Sequence, residues 1–116
     1  MASSTTNVLD RVFRALASAP RREILRLAAR ERCAVTQFAT QLKMSEPAVS
    51  KHVRVLVDAA LLSKTREGRF CWCRLKRSAF EPARESIEKL YRMIGRPPRR
   101  KSMRTTERRN QQQLRA

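Results

Sequence analysis

The side chains of this chain whose types and spacing could do chemistry are three cysteines, a single histidine, and a run of short polar and cationic residues between Ser45 and Arg69. Cys71 and Cys73 flank Trp72, so the alternation of a strand would put both thiols on one face, with Leu75 after them. Two adjacent thiolates beside Arg69 and Arg74 could clasp a soft ion or oxidise. The plainer alternative, small strand residues packing inward with Leu75, is the preferred one. A bond within the pair is disfavoured, because Cα atoms two apart on a strand lie about 6.5–7 Å from each other. Metal ligation would need a third donor from Cys33, His52 or a second protomer, so the expectation is no metal, with Cys71, Cys73 and Cys33 as the candidates if there is one. A lone Cys33 between helices reads as a small buried hydrophobe. One histidine excludes a site of two imidazoles. With Gly68 and Gly95 the only glycines there is no glycine-rich phosphate loop, and no carboxylate pair suggests a catalytic cleft. The expectation is a protein that is not an enzyme and carries no cofactor.

The polar run belongs to a predicted helix, Ser45 to Leu61. Ser45 can cap it, Glu46 suits its positive end, and Pro47 is tolerated where an amide has no intrahelical acceptor. Val49, Val53, Leu56 and Ala60, with Val57 beside them, form an apolar stripe, and Ser50, Lys51 and Arg54 fall opposite. Short polar and cationic groups near a helix N-terminus are the types that reach phosphates and base edges in a major groove. His52, mid-helix at the edge of the stripe, suits a structural or phosphate-contacting role. The competing reading of such a face is plain solvation.

The flanks decide between them. Upstream, Thr36 to Lys43 is a short amphipathic helix with Phe38, Ala39 and Leu42 inward and Thr36 as its cap, joined to Ser45 through Lys43 and Met44, which is helix-turn-helix spacing. Downstream, Leu62 to Leu75 reads as two strands about a turn at Glu67-Gly68, with Lys64, Arg66 and Arg69 at the tip. A basic hairpin after such a helix is a wing. The fold class expected is mainly α with a two-stranded β-wing: a winged helix-turn-helix of about five helices. Its DNA-binding set is Ser45, Glu46, Ser50, Lys51, His52, Arg54, Lys64, Arg66 and Arg69.

Pro-Ala-Val-Ser-Lys-His-Val-Arg-Val-Leu at 47–56, Ala-Ala-Leu-Leu at 59–62, Arg66-Glu-Gly-Arg69 and Arg74-Leu75 closely resemble the arsenic-repressor (ArsR/SmtB-like) family of bacterial winged-helix regulators. The resemblance spans about Leu9 to Ile94. It implies a homodimeric transcription factor that binds double-stranded DNA, usually a repressor released by an effector, here unknown, with the first and last helices joined in the dimer interface. Aligned on Ser45-Glu46-Pro47, the Cys-x-Cys pair of metal-sensing relatives falls on Ala34 and Thr36, so that thiolate site is absent. The zinc constellation of the last helix in other relatives is absent too. The alternatives kept open are a metal- or redox-responsive sensor acting through Cys71 and Cys73, and an RNA-binding module.

Composition agrees independently. At 116 residues there is room for one modest core. Lys and Arg number 27 against 10 Asp and Glu, a formal +17, which calls for a polyanionic partner, nucleic acid or anionic membrane. No apolar run approaches the ~18 residues of a membrane span, and no signal-peptide pattern opens the chain. The expected setting is cytoplasmic, on the nucleoid through DNA. Three cysteines fit reduced thiols there.

The first helix is predicted from Leu9 to Ala17, the second from Arg21 to Arg30 after Pro20 with Ile24, Leu25, Leu27 and Ala28 inward, and the last from Ser78 to Ile94, stopped by Gly95 and Pro97-Pro98. The dimerisation stripes are Leu9, Val12, Phe13 and Leu16 on the first helix and Ile87, Leu90, Tyr91 and Ile94 on the last. The domain bounds are 1–7 flexible, 8–95 folded, and 96–116 a basic tail with eight cations against Glu107.

Overall fold

Ser18 ends one helix and begins another. Its extended backbone (φ −133°, ψ 127°) stops the first, and its hydroxyl accepts the Arg21 amide of the next, with Pro20 in the opening turn where no amide is needed. The computed structural model describes residues 4–95, so residues 1–3 and the basic tail at 96–116 lie outside the described residues. The order is α1 (Ser4–Leu16), α2 (Ala19–Arg30), β1 (Cys33–Ala34), α3 (Val35–Leu42), α4 (Glu46–Asp58), β2 (Leu62–Glu67), β3 (Phe70–Leu75), a 3-10 turn (Arg77–Phe80) and α5 (Glu81–Ile94). This is the winged helix-turn-helix expected. Residues 4–7, expected to be flexible, belong to α1. Residues up to Arg84 form one compact unit, and a second begins at Glu85.

The core of the first unit is one cluster. Val12 and Ala15 of α1, Ile24, Leu25 and Ala28 of α2, Phe38 and Ala39 of α3, and Val49, Val53 and Leu56 of α4 meet Leu61, Leu62 and Cys73. No polar side chain is buried among the described residues. The helical periodicities were therefore read on the correct faces, with two exceptions. Ala60 does not extend the α4 stripe: the helix ends at Asp58, Ala60 is exposed with φ 61°, and Ala59 takes the buried place. Val12, assigned to a dimer surface, is 1 % exposed within its own protomer's core and offers nothing to a partner.

The sheet has three strands rather than two, in the order β1-β3-β2. Cys33 pairs with Cys73 and Ala34 with Trp72 across β1 and β3, while Leu62 to Glu67 pairs with Leu75 to Phe70 across the hairpin. β1 was missed because a strand of two residues has no periodicity to read. Since the chain passes straight from β1 into α3, the helix starts at Val35. Its terminus is completed by the Gln37 side chain, whose Oε1 accepts the Ala34 amide at 2.8 Å, and not by Thr36. On the sheet's other face Arg32 stacks over the Trp72 ring, 4.1 Å from its centroid, and pairs with Glu67 at 2.9 Å. The expected helix from Ser78 divides at Pro82. Glu81 donates to Ser78, a 3-10 contact, and Pro82 has no amide to continue the ladder from there.

Candidate nucleic-acid interface

α4 presents the predicted polar stripe. Ser45 caps the helix, its hydroxyl accepting the Ala48 amide at 3.3 Å, and Glu46 lies in the first turn. Glu46, Ser50 and Arg54 follow at i, i+4 and i+8, with Lys51 beside them, and all four are exposed. They are held outward because Val49, Val53 and Leu56 are fully buried on the other side. The entry to α4 is set by Lys43 in the left-handed region (φ 55°), with the Met44 amide returned to the Ala39 carbonyl at 3.0 Å.

The wing brings its cations to the same end of the helix. A cleft of about 260 Å³ is lined by Glu46 and Ser50 of α4, Lys64 and Arg66 of β2, Arg69 of the turn, and Cys71 of β3. Five of the nine residues read from the sequence as DNA-binding thus share one site: Glu46, Ser50, Lys64, Arg66 and Arg69. Ser45, Lys51 and Arg54 continue along the exposed part of α4 outside the cleft. Thr36 and Phe70, which sequence reasoning passed over, also line it, and Phe70 is 50 % exposed. Phe70 was legible only as a strand residue, since period two does not say which face is wet.

His52 lies outside the cleft, with the Nδ1 edge of its ring against α2. Arg21 Nη1 lies 3.3 Å from His52 Nδ1. The same guanidinium donates to the carbonyls of Ala15 at 2.8 Å through Nε and Arg14 at 3.0 Å through Nη2. Partial burial and then the Arg21 charge hold the imidazole below its usual value. The sequence marked Arg21 only as the start of the second helix, because a contact between residues 31 apart leaves no trace in a local pattern.

The three cysteines come together more than their spacing suggested, Cys33 standing opposite Cys73 in register. Around Cys73 and Cys33 the surroundings favour the thiol. Burial, the neighbouring Cys71 and then Cys33 push Cys73 up to about 12 against a small opposing pull from Lys64, and burial with Glu31 pushes Cys33 up. The Cys33 thiol points at the Leu27 and Glu31 carbonyls, 3.8 and 3.5 Å away. Among the described residues no group of three or more His, Cys, Asp or Glu is placed to hold a metal.

A helix with an exposed polar stripe, seated on a short partner helix and flanked by a basic hairpin, defines a winged helix-turn-helix domain, the class to which DNA-binding regulators belong. Residues 19–64 match the model of the family described as bacterial regulatory protein, arsR family. That match supports the resemblance to the family read from the sequence. An ArsR family transcriptional regulator of known structure aligns with a TM-score of 0.73 at 23 % identity, over 84 % of this chain and 100 % of its own. An ArsR-like transcriptional regulator from Rhodococcus sp. RHA1 aligns at 0.69 and 26 %, over 81 % and 89 %. A homodimeric winged helix-turn-helix DNA-binding domain from Mycobacterium bovis, described as a possible ArsR-family regulator, aligns at 0.62 and 24 %, over 85 % and 97 %. No curated protein matches the chain. No helix among the described residues is long and apolar enough to cross a membrane.

Proposed function

We propose that the chain acts as a homodimer that binds a pseudo-palindromic operator in double-stranded DNA and represses transcription. The observation that carries this is the convergence of Ser50 on α4 with Lys64, Arg66 and Arg69 of the wing on one exposed cleft. In this reading Ser50, Lys51 and Arg54 enter the major groove and the wing cations hold the flanking backbone, a division between base reading and phosphate positioning that suits their lengths and charges. The formal +17 supplies the long-range attraction. Dimerisation is supported by two apolar surfaces, each without cover in its own unit: Val8 and Phe13 on α1, and Ile87, Leu90, Tyr91 and Ile94 on α5. Half-site centres then lie about one helical turn, roughly 34–36 Å, apart. The test is a mobility-shift comparison of duplex DNA from upstream of the gene with unrelated duplex DNA, duplex RNA and single strands. Preference for the first is expected, and equal retention of all four would replace this reading with unspecific polyanion binding.

A further inference from the structure

Arg21 sits in the first turn of α2, and its guanidinium divides its donors among three acceptors, the carbonyls of Arg14 and Ala15 and the ring of His52. The two carbonyls belong to the last turn of α1, where helix geometry runs out of donors, and that of Arg14 also accepts the Ala17 amide at 3.2 Å. The third acceptor is on α4, so one side chain joins the end of α1 to the middle of the DNA-facing helix. A guanidinium has donors only, so its 3.3 Å contact is a hydrogen bond when His52 Nδ1 is unprotonated and the ring proton is on Nε2. Nε2 has no hydrogen-bond partner among the described residues, and no buried side-chain nitrogen is left unsatisfied. The Nε2 end of this half-buried ring is therefore open to solvent.

We propose that Arg21 is a positioning residue for DNA binding: it locks His52 in the Nε2–H tautomer and presents that N–H from α4 as a neutral donor to a backbone phosphate. This rests on the reading of α4 as the helix that lies against DNA. The lock is directional. Protonating Nδ1 would set an N–H against the Arg21 N–H, so the arrangement favours the neutral ring and leaves a donor whose presence does not depend on an added charge. Arg21 is the charged group that acts on the imidazole. A lysine at 21 would keep the charge and lose the planar fork that serves three acceptors at once.

With a single histidine in the chain, ring nitrogen NMR shifts assign its tautomer without ambiguity. The free wild-type protein is expected to show Nε2–H, and Arg21→Lys a mixture of tautomers. A phosphate contact is independent of sequence, so binding is read on a fluorescein-labelled mixed-sequence duplex. His52→Gln, whose amide reaches the Nε2 position, should bind close to wild type. His52→Asn, whose amide reaches only the Nδ1 position, should bind about tenfold more weakly, the size of one hydrogen bond to a charged group. Both variants leave Arg21 and its hold on α1 in place. The Nδ1–H tautomer in the free protein, or equal affinity of the Gln and Asn variants on a duplex that wild type binds, overturns the inference. A wild-type protein that retains no duplex at all removes the proposed function itself, a result the tautomer measurement keeps separate.

Discussion

Lys51 and Arg54 are exposed on α4 and form no ion pair among the described residues, so their long side chains can serve whatever lies against the helix. If either reads a base edge, its replacement by Ala should cost on the order of 1–3 kcal/mol on the operator and little on other duplexes. A pure phosphate contact would weaken all duplexes alike and flatten the salt slope by about one. Binding isotherms at several salt concentrations separate the two, and unchanged binding by both variants would take α4 out of the groove. The cysteines divide by burial. Cys73 is 0 % exposed, so Cys73→Ser puts a hydroxyl into the core and should destabilise by roughly 1–3 kcal/mol in urea unfolding, whereas half-buried Cys71→Ser should stay within about 0.5 kcal/mol. For Cys73 itself, full burial and a thiol raised to about 12 favour packing. The lowered His52 gives a further expectation with a definite sign. Below its ordinary value of 6.5 the unfolded chain binds the proton and the folded one resists it, so stability should fall as pH drops from about 6.5 toward the folded value and level off below it. His52→Gln should remove that part of the slope. Helix faces and the Ser45 cap were legible because they are written in local spacing. Arg21 was not, because its role exists only once α1, α2 and α4 have packed.

At the scale of elements, the chain spends left-handed backbone at three joints: Lys43 between α3 and α4, Ala60 between α4 and β2, and Gly68 at the wing tip. Gly68 is where the sequence announced a turn, and at φ 61° a glycine is free of the Cβ penalty the other two carry. No atom lies within 4 Å of a Cβ built there, so Gly68→Ala tests conformation without a clash. It should cost about 1 kcal/mol. Ala60→Gly, at the same φ on an exposed site, should change stability in the opposite direction by a smaller amount, since glycine also gains entropy in the unfolded chain. Thermal unfolding of the pair checks both signs, and a stabilising Gly68→Ala would mean the turn is not held as described. The same joint explains the misread end of α4. Alanine is a strong helix former, and nothing local in Ala59-Ala60 marks a stop. The Leu61 amide returns to the Leu56 carbonyl at 3.0 Å because Leu61 and Leu62 are both required in the core. Tertiary burial ended the helix where propensity would have continued it. β1 is the complementary case, a strand created by the neighbour it pairs with.

At the scale of the molecule, α5 carries five large apolar side chains in the open: Ile87 and Leu90 at 52 % exposure, Tyr91 at 73 %, Met93 at 81 % and Ile94 at 77 %. An apolar surface of that extent on a chain otherwise dense in charge marks an interaction site, and in the proposed dimer a second copy covers it. The arrangement also makes the assembly responsive to salt in two opposing ways. Two chains of formal +17 repel each other, so screening should tighten the dimer, while the same screening releases it from DNA. Operator affinity should then be highest at intermediate salt when protein is dilute, and fall monotonically when it is concentrated enough to stay paired. Leu90→Arg isolates the assembly step. In an isologous interface one substitution appears twice, placing two additional guanidinium groups in an apolar contact between chains that already repel. The variant should be monomeric by light scattering at micromolar concentration, keep the helical content of the wild type, and bind a half-site duplex nearly as well as wild type while losing the full operator. Leu90→Met, which preserves apolar volume, should leave all of these unchanged. A dimeric Leu90→Arg protein would show that α5 does not form the contact, and a monomeric wild type would leave the full operator to be read by two independent chains.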